Sequence, residues 1–324
     1  MFFLSELKKK WRRQLARASA PLQMLAERQL ILQARAVSQA NHDMHQLISL
    51  DRAEFCAFSQ WGEDGIIDWL VERLPGIPTT FVEFGVEDYR EANTRLLLQL
   101  RNWRGLVMDG SAAHISDIRS QDIYWRHAVT AKCAFIDKEN INRLLLDEGF
   151  RGEIGLLSVD IDGNDYWVWE AITAVDPVIV VCEYNAVFGD RCALTVPYRA
   201  DFQRTRAHPS NLYFGASLSA LNLLAHKKGY KFVGTTSSGC NAFFVRNDWA
   251  ASVTAGLAAT YAFPSMVREA RDSQGRLLFV DGIDRRRLIA DLPLLNLELN
   301  ELTTLGQFDV LYSPEWSAGQ KVRF

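Results

Sequence analysis

Cysteine is scarce and unpaired in this sequence: five in 324 residues, Cys56, Cys133, Cys182, Cys192 and Cys240, scattered and mostly inside apolar runs. An odd number without zinc spacing excludes a disulfide framework and a structural zinc site, and suits reduced core thiols in a cytosolic protein. No apolar run is long enough to cross a bilayer, and the opening "MFFLSELKKKWRRQL" lacks the long apolar stretch of a secretory leader. Charge of one sign is lacking too. The 36 basic residues against 39 acidic ones give a net charge of -3, which argues against nucleic acid as a bulk partner. The dinucleotide fingerprint G-x-G-x-x-G is absent: after Gly85, Glu87 and Tyr89 stand where further glycines belong, and a pyrophosphate would meet carboxylates.

What is present suffices for a large core, since 48% of residues are hydrophobic and 11% aromatic. Residues 1–50 read as a helical N-terminal extension broken at Pro21. Its first part sets Met1, Phe2, Phe3, Leu4, Leu7, Trp11 and Leu15 beside a basic cluster, Lys8 to Arg13 and Arg17. Such a helix suits either a peripheral contact with an anionic membrane or packing on the domain or a second subunit. Residues 51–250 alternate buried strands (80–85, 104–111, 127–134, 154–160 and 177–185) with helical segments, which predicts an α/β fold with a mostly parallel sheet and helices on both faces. A helix over 217–230 feeds two strands around "TTSSGC", a terminal antiparallel hairpin over 231–248. Residues 251–324 form a C-terminal extension that completes the pocket or an interface.

The stretch "GLLSVDIDGNDYWVWEAI", Gly155 to Ile172, ends a buried strand in Asp160, Asp162 and Asp165. A calcium loop is excluded, because the glycine falls at position 4 and position 12 is Ala171 rather than Glu. Two readings stay open there: a capped turn through Asn164 or Asp165, or a ligand site at a strand's carboxyl end. Glu83 and Gly85 in "FVEFGVED" close the first strand, where a glycine lets the backbone approach a nucleoside and a carboxylate stays within reach. Glu83, Glu87 and Asp88 would favour a cationic cofactor. Asp109 closes the second strand, where an acid commonly takes ribose hydroxyls, unless it only forms an Asp-Gly turn.

Taken together, "SQWGEDGII" (59–67), "FVEFGVEDYREANTRLLL" (81–98), "WRGLVMDGS" (103–111), "LLSVDIDGNDYWVWEAI" (156–172), "VIVVCEYN" (178–185) and "SSGCNAFFVRND" (237–248) resemble the class I S-adenosylmethionine-dependent methyltransferases, and more closely their FkbM-like group. The resemblance implies a Rossmann-like methyltransferase sheet. It implies that Gln60, Glu83, Gly85, Asp109, Gly110 and Ser111 bind S-adenosylmethionine, and that Asp160, Glu183 and Asn185 hold a magnesium ion. The reaction implied is O-methyl transfer to a saccharide or natural-product hydroxyl, with Asp160 catalytic. His208, in the polar loop "RTRAHPSNLYFG", is the general-base candidate. Arg191, Arg199, Arg204 and Arg206 crowd that region and would suit an anionic acceptor. The rivals are a different metal enzyme on the same sheet, for which no histidines stand near Asp160, and a non-catalytic module recruited to a membrane or partner.

Overall fold

The computed structural model describes the backbone of residues 2–44 and 46–324, and the side chains of 21–22, 24–44 and 46–324. A long helix, α1 (Phe2–His42), leads through a short 3-10 turn to α2 (Glu63–Arg73) and the first strand, β1 (Thr80–Phe84). There follow α3 (Arg95–Leu100), β2 (Arg104–Asp109), α4 (Ala112–Ser120), α5 (Asp122–Arg126), β3 (Val129–Cys133), α6 (Ile141–Asp147), β4 (Gly152–Val159), α7 (Asp165–Ala171) and β5 (Val175–Glu183). A two-residue strand, β6 (Leu194–Thr195), and a single turn, α8 (Arg204–Ala207), interrupt the next loop. Then come α9 (Leu218–Lys228), the hairpin β7 (Tyr230–Thr235) and β8 (Asn241–Arg246), and α10 (Asn247–Thr254).

Seven strands form one sheet in the order β3-β2-β1-β4-β5-β8-β7. β1 to β5 pair in parallel, whereas β8 runs antiparallel to both β5 and β7. Strand alternation sends Phe81, Val107, Leu156, Ile179, Val181 and Phe243 to one face, under α2, α4 and α10. It sends Val82, Met108, Leu157, Val180, Cys182 and Phe244 to the other, under α6, α7 and α9. The α/β fold expected from the alternation of segments is the one present, hairpin included. One helix is shorter than its sequence suggests: the "REANTRLLLQL" segment is helical only from Arg95, because the residues before it are held in a loop against the sheet.

The helical extension differs from expectation at Pro21, across which α1 continues. A proline accepts helical φ and removes one backbone bond, so a long helix tolerates it at a cost. The second half of α1 is fastened to the domain: Ile31 and Ala34 pack with Phe58 and Leu96, Asn41 donates to the Ala53 carbonyl (2.8 Å), and Glu27 pairs with buried Arg95 (3.0 Å). The apolar and basic side chains behind the membrane-contact reading, Met1 to Arg17, lie outside the described residues. Among the described residues no helix is long and apolar enough to cross a membrane. After residue 250, Pro293–Asn296 pairs with β6 and with Glu301–Thr304, and Leu294 and Leu305 share a cluster with Phe188, Leu212 and Phe214 from the loop after β5. The C-terminal segment therefore packs against the loop after β5, and its Glu269 pairs with Arg204 of that loop.

Candidate functional site

A cleft of about 490 Å³ opens at the carboxyl edge of the parallel strands, over the point where β1 and β4 part company in chain order. Polar side chains reach it in series because alternation continues to the last residue of each strand. Asp109 follows Val107 on β2, Glu83 follows Phe81 on β1, Asp160 lies just past β4, and Glu183 follows Val181 on β5. Asn241 begins antiparallel β8 directly opposite Glu183, so its start faces the same edge.

The loop after β1 is held in an unusual backbone path. Gly85, Glu87 and Tyr89 have φ of +72°, +47° and +62°. Two of these three positions thus hold a non-glycine residue in the left-handed conformation that glycine adopts most readily. Gly85 is irreplaceable on steric grounds: a Cβ there would lie 1.6 Å from the Asp160 carbonyl oxygen. The two others are compensated. Glu87 N donates to Asp109 (2.9 Å), and the Tyr89 hydroxyl is buried against Thr94 Oγ1 (2.9 Å). Glu83 serves the same loop, accepting from Asn93 N (2.8 Å), Thr94 N (3.1 Å) and Thr94 Oγ1 (2.5 Å). Burial raises its carboxyl to about 7 against those bonds.

Asp109 is similarly engaged. Oδ1 accepts from Ser111 N (2.7 Å) and faces His114 Nδ1 (3.2 Å), while Oδ2 takes the Glu87 amide. Ser111 caps α4 by accepting from His114 N, and its side chain does not line the cleft. Gln60, Glu83, Gly85, Asp109 and Gly110 all do, joined by two residues that sequence reasoning passed over, His114 and Phe135. Phe135 is 48% exposed.

The three aspartates of the Gly155–Ile172 stretch have separate surroundings, and the turn reading describes one of them. Asp165, fully buried, accepts from Ile161 N (2.7 Å) and Gly163 N (2.9 Å) and closes the turn. Asp162, with φ of +56°, pairs with Arg204 (2.6 Å). Asp160 faces the cleft beside Glu183. Carboxylate oxygens of Asp160, Asp165 and Glu183 lie within 4.8 Å of one another. Desolvation first, and then repulsion from neighbouring acids (Asp162 and Asp165 for Asp160, Asp160 for Glu183), holds both carboxyls well above the ordinary carboxylate range. Glu183 Oε2 is buried with no hydrogen-bond partner among the described residues.

Three placements correct the expectations. Asn185 is not a metal ligand: its Oδ1 accepts from Val187 N (3.0 Å) and its amide donates to the carbonyls of Leu212 (2.8 Å) and Phe214 (2.9 Å), so it caps the turn after β5. His208 is outside the cleft, bonded to Ser210 Oγ (2.8 Å) with its imidazole lowered by burial, and reaches no acid of the cluster. Of the four arginines, only Arg204 lines the cleft. It contacts Asp162, Glu269 and the Asn211 carbonyl (2.7 Å), stacks 3.7 Å over Phe214, and stands 4.0 Å from Glu183. The arginine cluster expected to greet an anionic acceptor is thus one cation already surrounded by acids.

No family model matches the chain, and no curated protein matches it. Among solved structures it is similar to the N-terminal domain of EvdMO1 with SAH bound, at 10% identity and a TM-score of 0.38, over 65% of this chain and 95% of that one. It is similar to an O-methyltransferase from Bacillus cereus in complex with SAH, at 13% identity and a TM-score of 0.37, over 67% and 89%. A third is an S-adenosylmethionine-dependent methyltransferase from Clostridium acetobutylicum, at 9% identity and a TM-score of 0.35, over 57% and 90%.

Proposed function

We propose that the chain is an S-adenosylmethionine-dependent O-methyltransferase whose acceptor is a saccharide or a related natural-product intermediate. The observation that carries this reading is the row of acids along one sheet edge over a single cleft, with a glycine-type loop at β1 and an acid closing β2. Asp109 keeps lone pairs for ribose hydroxyls beyond the amides it already accepts. Phe135 offers an aromatic face to a base. The sulfonium would lie toward Glu83, Asp160 and Glu183, the acidic side of the cleft.

In the transfer, an acceptor oxygen lone pair attacks the methyl carbon, the carbon–sulfur bond breaks, and S-adenosylhomocysteine leaves. The acceptor's proton must go elsewhere. Asp160 and Glu183, which border the cleft and whose proton affinity is raised by burial, are the groups placed to receive it. The chain contributes chiefly position and dryness, and Arg204 stops the acids from splaying apart. Magnesium receives no step. Asn185 is spent, both Asp165 oxygens accept amides, and Arg204 occupies the charge-balancing place near Glu183. The acceptor side is a groove sharing Gln60 with the cleft and lined by Phe55, Trp61, Met266 and Ser237. Aromatic faces beside hydroxyls suit a sugar's alternating C–H and O–H surfaces.

Calorimetric titration with S-adenosylhomocysteine in EDTA tests the cofactor reading. Micromolar binding is expected, weakened at least tenfold by Phe135→Ala, a substitution in an exposed side chain. No binding to the native protein would overturn it. A panel of labelled-methyl assays on neutral and acidic saccharides then tests the acceptor, with unchanged rates in EDTA expected.

A further inference from the structure

Asn241 was not among the site residues expected from sequence, yet its side chain is 95% buried and lines the cleft. Every polar group of the residue is engaged except one. Its backbone N donates to Thr236 Oγ1 (3.2 Å), its carbonyl accepts from Thr236 N (2.9 Å), and Nδ2 donates to Glu63 Oε1 (2.9 Å). Oδ1 has no partner among the described residues. The amide's orientation is dictated rather than arbitrary. Glu63 is fully buried at the start of α2, and its other oxygen accepts from Trp61 N (2.9 Å), so an ionised Glu63 offers Asn241 only an acceptor. Nδ2 must face Glu63, and Oδ1 must face away from it.

Glu183, the residue directly opposite Asn241 on the neighbouring antiparallel strand, carries another such orphan, Oε2. Opposed residues on one face have Cβ atoms about 4.5–5.5 Å apart. With Glu183 ionised, the form in which it can take up the acceptor's proton, these are two unpartnered acceptors on opposed residues of one face, and they call for a ligand that brings hydrogens. Building on the methyltransferase reading, we infer that Asn241 Oδ1 and Glu183 Oε2 together seat the acceptor's nucleophilic group, an uncharged hydroxyl that presents its hydrogen to this pair while its lone pair faces the methyl. Asn241 is then a substrate-positioning residue and Glu63 a positioning residue that acts through it. This seat selects a donor-bearing acceptor and gives a carboxylate or phosphate oxygen nothing to bond to, which favours a neutral sugar hydroxyl over an acidic group at the point of transfer.

The test uses sinefungin, which carries an amine where S-adenosylmethionine carries its methyl sulfonium, so that a donor is delivered to the same place. Titrations at pH 7 in EDTA compare it with S-adenosylhomocysteine, which has no such donor. The native protein is expected to prefer sinefungin at least tenfold. Asn241→Ala should keep the S-adenosylhomocysteine Kd within about twofold and lose most of that preference. Glu63→Gln, which can both donate and accept and so frees the amide to flip, should erode it partly. Equal binding of the two ligands by the native protein would overturn the inference, as would a preference undiminished in both variants. If Asn241→Ala does not fold, Glu63→Gln decides. Failure of both ligands to bind would instead overturn the methyltransferase reading on which the seat rests.

Discussion

The two faces of the sheet end differently along the same strands. On the α6–α7–α9 side the last residues stay apolar: Phe84, Met108, Val159, Cys182 and Ala242 are all buried in one cluster. On the other side the apolar run gives way, within one residue of the same points, to Asp109, Glu83, Asp160, Glu183 and Asn241. Adjacent positions of the same strands therefore yield an apolar cluster on one face and polar side chains on the other, a difference that follows the parity of position, with Phe84 and Met108 forming part of the cleft wall. The lesson is that the site is an edge of the core with its side chains exchanged, which is why burial raises the proton affinity of its carboxylates.

The sharpest way to break the comparison is Gly85→Ala, because Gly85 is where the loop leaves the sheet between the two faces. The added methyl would overlap the Asp160 carbonyl, a backbone atom that cannot step aside, and φ of +72° adds strain. A loss of more than about 3 kcal/mol is expected in chemical denaturation, together with loss of S-adenosylhomocysteine binding; a variant of native stability would show the β1 and β4 ends to be farther apart. Next in size is Glu183→Gln. On the proposed mechanism it removes the proton acceptor and leaves cofactor contacts alone. It should lower kcat by about 10²–10⁴-fold while the S-adenosylhomocysteine Kd stays put. A rate within threefold of native would move the base to another group.

Much of this was legible from sequence because one rule, alternation with parallel crossovers, fixes both the strands and the side each acid takes. Glu83, Asp109 and Asp160 could be placed at the edge from local pattern alone. What failed depended on register or on loops. Asn241 needs the antiparallel pairing of β8 with β5, a long-range register that local pattern does not carry. Asn185 was expected as a ligand because the family resemblance implied it; the Val187 amide and the carbonyls of Leu212 and Phe214 claim it instead. His208 and the arginines sit in a loop whose course is decided by Phe202, Leu212 and the C-terminal segment, so their sequence proximity to β5 said nothing of their distance from the acids.

The buried acids of the polar face also make it the pH-sensitive one. Glu83 rises from 4.5 to about 7, and Asp64 and Asp165 from 3.8 to about 6, each chiefly by desolvation. A carboxyl raised on folding contributes stability that is full below its unfolded value and is lost as pH climbs through its folded value. Thermal midpoints should therefore increase as pH falls from 8 to 5. Glu83→Gln should flatten the slope, by up to about 3 kcal/mol across that window, whatever it does to the baseline. An unchanged slope would mean that Glu83 stays ionised at neutral pH, with the amides of Asn93 and Thr94 outweighing burial.

The smallest effect belongs to the apolar face, and it is the one that isolates parity from depth. Cys182 and Glu183 are neighbours in sequence, yet Cys182 points into the cluster of Val180 and Phe244 with no exposure. Burial holds its thiol well above the ordinary range, so it stays neutral and behaves as a small hydrophobe. Cys182→Ser exchanges it for a hydroxyl of similar size whose stronger hydrogen-bonding demand is poorly met there. A cost of about 1–2 kcal/mol in denaturation is expected, with S-adenosylhomocysteine affinity and the sinefungin preference both at native values. If that substitution disturbed binding as Glu183→Gln disturbs turnover, the two faces would not be independent, and the cleft would have to be understood as a property of the strand ends as a whole.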